Sequence, residues 1–527
     1  MPFRASKCPI KRASLAVTVY PSLYLSELTC CYYILPLNPR YSVPLVRSEY
    51  FVRRLVPRVR WQKLGTEQLS NLRSSVSAAG RNVELSARRN EMASTLARVG
   101  VPLVEGAQTA QQHAIGLLQI AAEVEQALMV QYLYAATSAV SAPDAPEDYQ
   151  KRLIRIAVEE MGHLATVQNL LLLVGGPDAL HLQRDELRKN SDENPIPFIL
   201  QPITRVSLAE YVAAEMPTTV PPVRKALVDE LMALAGSATQ TKLHRVGAIY
   251  AVLEWMFLPK EEARAWIDLP SLVSLPRNPH ITSADLRPIE EVQQFEAQAE
   301  EWQVFRPDII LAAPHDANEA VQAIRRIAAQ GEGFDDSGQS HFQQFLGVVD
   351  AFDQQKLGSI ALAVSPSLGT GNGGEGGEPI SHPYTRLWGE VFSRQYGGLV
   401  LCIYHALRIP RQDDASAMRR GSVAGLAVEG MKTIIRSLCP LFADLPLRPN
   451  DMAIAGPPFD LDPSLLQLAP EGELTERHLT TLEKLSILYK SIEKAPEFNS
   501  FPQHKNTLDN LRTFDEQARE LFSAPTV

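Results

Sequence analysis

Cysteine is scarce in this chain and never spaced as a pair: there are five among 527 residues, with no CxxC, and Cys8, Cys30 and Cys31 crowd the first 31 positions, leaving Cys402 and Cys439 in the body. That argues against a disulfide framework and against a thiolate zinc site, and it favours a reducing, cytoplasmic setting. A clean membrane span is lacking too. The most apolar early run, LAVTVYPSLYLSELTCCYYILPL, is interrupted by Pro21 and Glu27 well short of the length a bilayer requires. Positive charge is short in the body: residues 1–91 hold 15 Lys/Arg against 5 Asp/Glu, whereas the rest carries 36 against 55. An acidic surface of that kind does not neutralise phosphates, so no nucleic-acid partner is expected. Alternating β-rich runs and solenoid-length repeats are missing as well. The glycine-rich stretch LGTGNGGEGGE has no Lys-Ser/Thr after it and no strand before it, which removes the phosphate-loop reading.

What is present is ordinary for a globular protein, with 45% apolar and 21% charged residues. Residues 1–91 show neither helical nor strand periodicity, and the next methionine after Met1 is Met92. A transit peptide, a weak membrane segment and a disordered or mis-started extension compete there. The last is the simplest expectation, so the segment carries no fold reasoning. From about residue 105 the pattern is helical. Two long runs come first, over 107–140 and 149–175, the second stopped by Gly175-Gly176-Pro177. A third region covers 222–257, and shorter runs follow at 317–330 and 341–352. The expected organisation is a leader (1–91), a helical domain (105–360) with a Pro- and acid-rich insert (258–315), a flexible linker (367–380), a C-terminal helical region (381–500) and a tail (501–527). The chain reads as mainly α.

The chemistry lies on the helix faces. In AVEEMGH, Glu160 shares a stripe with Leu153, Ile156, His163, Leu164 and Val167, while Glu159 is rotated beside Arg152 and Arg155 and reads as a solvated, salt-paired residue. The ExxH spacing of Glu160 and His163 puts two ligand types one turn apart on an oily face. Glu125 lines up with Leu118, Ala121, Ala122, Leu128 and Tyr132, whereas Glu123 keeps company with Gln119 and Gln126. Buried carboxylates and an imidazole are costly unless neutralised or bound to a cation, and a divalent metal pair meets that need. On the third helix the stripe of Val246, Gly247, Tyr250, Leu253 and Phe257 makes Glu254 the candidate. For the fourth contribution there are Glu332 in QGEG and His341 in SHF, which do not form a compact ExxH. Tyr132 is read first as a core aromatic and second as a candidate catalytic residue beside an oxidising centre.

Glu125 followed by Tyr132 and then EExxH resembles the ferritin-like four-helix di-iron proteins. LLQIAAEVEQALMVQYLYA, IAVEEMGHLATVQNLLLLVGG, IRRIAAQGEG with SHFQQF, and AGPPF are similar to the branch that contains the iminophenylpyruvate dimer synthase of violacein-type pathways. The resemblance covers roughly 110–460. It implies a ferritin-like four-helix bundle with an additional C-terminal helical region, and metal ligands at Glu125, Glu160, His163, Glu332 and His341 for two iron ions or an Fe/Mn pair. It also implies an oxidase or oxygenase acting on a small, amino-acid-derived metabolite, with dioxygen as co-substrate. The chain departs from the pattern at Gln126, where the branch often has His, and at Ala248, where it commonly has Glu. Glu254 is the expected substitute for the latter. Oxidative coupling of imino acids is the alternative reaction, and a non-catalytic metal-binding protein or a metal-free scaffold is the alternative class. A homo-oligomer is compatible with all of these.

Overall fold

The computed structural model describes residues 58–70, 83–183, 187, 194–217, 219–236, 244–333, 339–369 and 377–524. Residues 1–57 of the expected leader and 370–376 of the expected linker lie outside the described residues. Helices dominate. Among the described residues, the named strands form only two short antiparallel pairs: β1 (Val59–Gln62) on β2 (Val101–Val104), and β3 (Ala139–Ser141) on β4 (Leu357–Ser359). Helix α1 (Val83–Val99) runs directly into β2. The leader boundary expected at residue 91 therefore falls inside a helix, and paired structure reaches back to Val59.

Two long helices frame the first domain. Helix α2 (Ala110–Ser138) starts at Thr109, whose hydroxyl accepts from the Gln112 amide. Helix α3 (Tyr149–Gly175) starts at Asp148, which caps the Lys151 amide, and ends at Gly176 with φ of +71° ahead of Pro177. They pack along each other through Leu117, Leu118, Ala121, Val124, Leu128, Ile156, Val167 and Leu171, all buried. Opposite them stand four shorter helices: α4 (Arg205–Ala214), α6 (Arg245–Phe257), α7 (Ala317–Glu332) and α8 (His341–Asp353), with α5 (Pro222–Leu234) packed outside α4. Helix α6 lies on α7, and α4 lies on α8. Two continuous helices thus accompany two pairs of half-length ones.

The insert runs along α3. Gly162, inside the EExxH run, is where it comes closest: a Cβ there would sit 2.7 Å from the Ile310 carbonyl. Thr166 donates to that same carbonyl, and Asn169 donates to the Ala297 and Ala312 carbonyls.

The C-terminal region is made of α9 (Pro383–Arg408), α10 (Asp414–Gly430), α11 (Glu471–Lys494) and α12 (Pro502–Ser523). The expected tail is therefore largely a helix, with Leu508, Leu511, Phe514 and Phe522 buried. Arg420, fully buried on α10, ties this region to the insert: it donates to Glu301 (2.7 Å) and to the carbonyls of Phe295, Glu296 and Ile409. The AGPPF run owes its glycine to a close approach. Gly456 has φ of +80°, and a Cβ there would meet the Tyr134 hydroxyl at 2.2 Å.

Candidate metal centre

Midway along α2 and α3, Glu125, Glu160 and His163 converge as expected, and His341 at the first turn of α8 joins them. None is more than 2% exposed. His163 Nδ1 lies 2.9 Å from Glu160 Oε2 and 3.4 Å from Glu125 Oε2. His341 Nδ1 lies 2.9 Å from the other Glu160 oxygen, Oε1. Glu160 therefore stands between the two imidazoles, one oxygen toward each.

The residue that sequence reasoning missed is Glu215, just past the end of α4. It is buried, and its Oε1 is 3.9 Å from His341 Nδ1. Its signal was available: Leu208, Tyr211, Val212 and Glu215 form one helical stripe ending in an acid. With Glu215 in place, the Ala248 departure does not leave the carboxylates short. Glu254 is elsewhere: it pairs with Arg325 at 2.5 Å and is not among the residues brought together here.

Glu332 is the last residue of α7, and its carboxylate rests against Gly247, where a Cβ would lie 2.3 Å from Oε2. At the neighbouring Gly331 a Cβ would lie 3.2 Å from Glu215 Oε2. Tyr132 donates its hydroxyl to Glu215, and Tyr250 does the same for Glu125. Two halves result: Glu125, His163 and Tyr250 in one, Glu215, His341 and Tyr132 in the other, with Glu160 between them.

Both imidazoles are anchored from behind. His163 Nε2 donates to Gln330 Oε1 (2.9 Å), and His341 Nε2 donates to Glu159 Oε2 (3.1 Å). Glu159 corrects its expected role. It does pair with Arg155, at 3.0 Å, but it is fully buried rather than solvated. Glu123 is buried too and accepts from His181 at 2.9 Å. Because a carboxylate and an amide oxygen can only accept, each Nε2 carries the hydrogen. Both rings therefore turn Nδ1 inward, that of His163 onto Glu160 Oε2 at 2.9 Å, and in its neutral form each Nδ1 would be free to bind a cation.

The charge balance tells the same story. Burial, then the His163 hydrogen bond and the Glu160 charge, set the Glu125 carboxyl, pushed up to about 7. Burial and then Glu160 push Glu215 up to about 8. Burial and the charge of Glu215 raise Glu332 well above the usual range. Burial opposes ionisation of Glu160 as well, but the two imidazoles hold it below the usual range, and His163 is raised to about 10 against its own burial by Glu125 and Glu160. Protein alone thus satisfies one of four carboxylates. Four ionised carboxylates with two neutral imidazoles would be balanced by two divalent cations.

Orientation supports that fit. Glu160 Oε1 and His341 Nδ1 face one another at 2.9 Å, and Glu332 Oε1 has no hydrogen-bond partner although it is enclosed. Carboxylate and imidazole ligand atoms that converge in this way are placed as the ligands of one cation would be. Glu160, His163 and His341 also have ligand atoms within 4.8 Å of one another.

Residues 118–350 match the ferritin-like family. Chains of that class build di-iron or di-manganese carboxylate centres from glutamates and Glu-x-x-His pairs on facing helices. Among curated proteins the chain is similar to dichlorochromopyrrolate synthase of Lentzea aerocolonigenes, 25% identical over 413 residues. The match takes in 69% of this chain and 38% of that protein, so this chain spans well under half of its relative's length. No solved structure gives a significant match. Among the described residues, no helix is long and apolar enough to cross a membrane.

Proposed function

We propose that the protein is a non-haem carboxylate di-iron (or mixed iron/manganese) oxidoreductase that acts on a small, amino-acid-derived metabolite in secondary metabolism, with dioxygen as co-substrate. The observation that carries this reading is the buried convergence of Glu160, His163 and His341, with Glu125 and Glu215 beside the two imidazoles. Glu125, Glu160, His163, Glu215, Glu332 and His341 would hold the ions, with Glu125 beside His163 and Glu215 beside His341. When bound, such a pair supplies redox chemistry and open positions for dioxygen, for which hard carboxylate and imidazole donors are suited.

The protein's own residues do the rest. Tyr132 and Tyr250 fix the rotamers of Glu215 and Glu125 through their hydroxyls. Gln330 and Glu159 fix the two imidazole tautomers. The insert closes one side of α3 at Gly162 and Thr166 and keeps water from the centre.

Likeness to an enzyme named for making dichlorochromopyrrolate supports a substrate built from amino-acid-derived units, and oxidative coupling of two imino acids is the particular alternative. The test is metal analysis and oxygen uptake on the full chain. Two ions per chain, abolished in Glu160→Ala with helical circular dichroism retained, together with oxygen consumption by the reduced iron form in the presence of arylpyruvate imines, is the expected result. Stoichiometric metal without oxygen uptake would favour storage or sensing instead. A protein that takes up no metal would sink the reading.

A further inference from the structure

The two halves of the centre match residue for residue: a carboxylate, an imidazole and a tyrosine that donates to the carboxylate. The match breaks behind the histidines. His163 rests on Gln330, a neutral amide whose orientation is set because its Nε2 donates to the Asp308 carbonyl at 2.7 Å, leaving Oε1 for the ring. His341 rests on Glu159, a fully buried carboxylate that also receives Gln344 Nε2 at 3.2 Å. Arg155, itself 40% exposed and shared with Asp308, meets only the other oxygen of Glu159.

We infer that the two metal positions are unequal, and that Glu159 is the positioning residue that makes the His341 position the tighter one, filled first. A carboxylate behind an imidazole draws its N–H outward and raises the basicity of the opposite nitrogen, so Nδ1 of His341 becomes the stronger donor. An amide oxygen does this much less. The asymmetry would give the pair a fixed order of loading and an electronically distinct member, which a reaction using two metals in different roles requires. The inference rests on the two-metal reading above.

The test uses Co(II) as probe on the metal-free full chain, followed by calorimetry and by visible ligand-field bands. Wild type should bind two ions in resolved steps. Glu159→Gln, nearly isosteric, should weaken the first step by about 10–100-fold and shift only that ion's bands, merging the two steps. Gln330→Glu should tighten the second step. His341→Ala should remove the tight step and His163→Ala the weak one. Two equivalent steps in wild type, or equal weakening of both in Glu159→Gln, would overturn the inference while leaving the two-metal reading intact. Failure to bind Co(II) at all would overturn both.

Discussion

Gly247→Ala isolates the contribution of Glu332, because the same methyl group helps the helix and disturbs the site. Gly247 is the third residue of α6, a position with ordinary helical backbone, where alanine in place of glycine favours the helix by up to about 1 kcal/mol. In this protein the new Cβ would lie 2.3 Å from Glu332 Oε2 and 2.7 Å from Oε1. A comfortable carbon–oxygen contact is about 3.3 Å, so the carboxylate must retreat by roughly 1 Å. The obstacle is the far end of a flexible side chain, so the fold accommodates the change. The metal site does not, since ligands serve only when held within about 0.5 Å of their places. The expected outcome is an apo protein that melts no lower than wild type but binds Co(II) at least about 10-fold more weakly, measured by calorimetry or chelator competition. Glu332→Asp, shortening the arm by about 1.5 Å, should recover part of the affinity in the Gly247→Ala background. Wild-type affinity in Gly247→Ala would refute the placement of Glu332 in the centre.

Other perturbations read other parts of the fold. Arg420→Met takes one of two arginines from Glu301, Arg411 remaining at 2.8 Å, and leaves the Phe295 and Ile409 carbonyls without their donor, so it should cost about 1.5–3 kcal/mol in urea unfolding; a loss under about 0.5 kcal/mol would mean the C-terminal helices are held to the insert by other contacts. Gly456→Ala combines a left-handed backbone with a collision at Tyr134 and should destabilise by about 2–3 kcal/mol, seen as a lower melting temperature. Asp515, which accepts from Tyr489 and Gln395, is raised by burial to about 6. The folded state therefore holds its proton more tightly than the unfolded chain, and its stabilisation is full below about pH 4 and lost as pH rises through about 6. Melting of Asp515→Asn against wild type should show a difference that changes by up to about 3 kcal/mol between pH 4 and pH 7, and a flat difference would remove Asp515 as its source.

What could be read from the sequence followed helix continuity. Glu125, Glu160 and His163 sit in the middle of long, strongly periodic helices, so their side was fixed by the apolar residues around them. The third and fourth contributions come from helix ends. Glu215 follows the last residue of a ten-residue helix, Glu332 closes another and His341 opens a third. Few turns flank such residues, so the short stripe that ends in Glu215 was passed over in favour of Glu254, whose helix shows a longer stripe but whose charge is taken by Arg325. The errors at Glu159 and Glu123 have another cause. Both were judged by their neighbours on their own helix, yet each is buried by partners remote in sequence, His341 and Gln344 for the one, His181 for the other.

The broken helices also explain how four buried carboxylates coexist. A glutamate inside a helix meets only side chains, because the backbone amides around it are already bonded. A glutamate at a helix end can lie against the free amides of another helix's first turn, as Glu332 does at Gly247 near the start of α6. That contact favours the ionised form by hydrogen bonding but does not overcome the burial that dominates Glu332, so without a cation its carboxyl stays well above the usual range. Interruption of the bundle is thus part of how the site is built: it loses some of the pattern by which a sequence announces a ligand, and gains backbone donors that a continuous helix cannot offer.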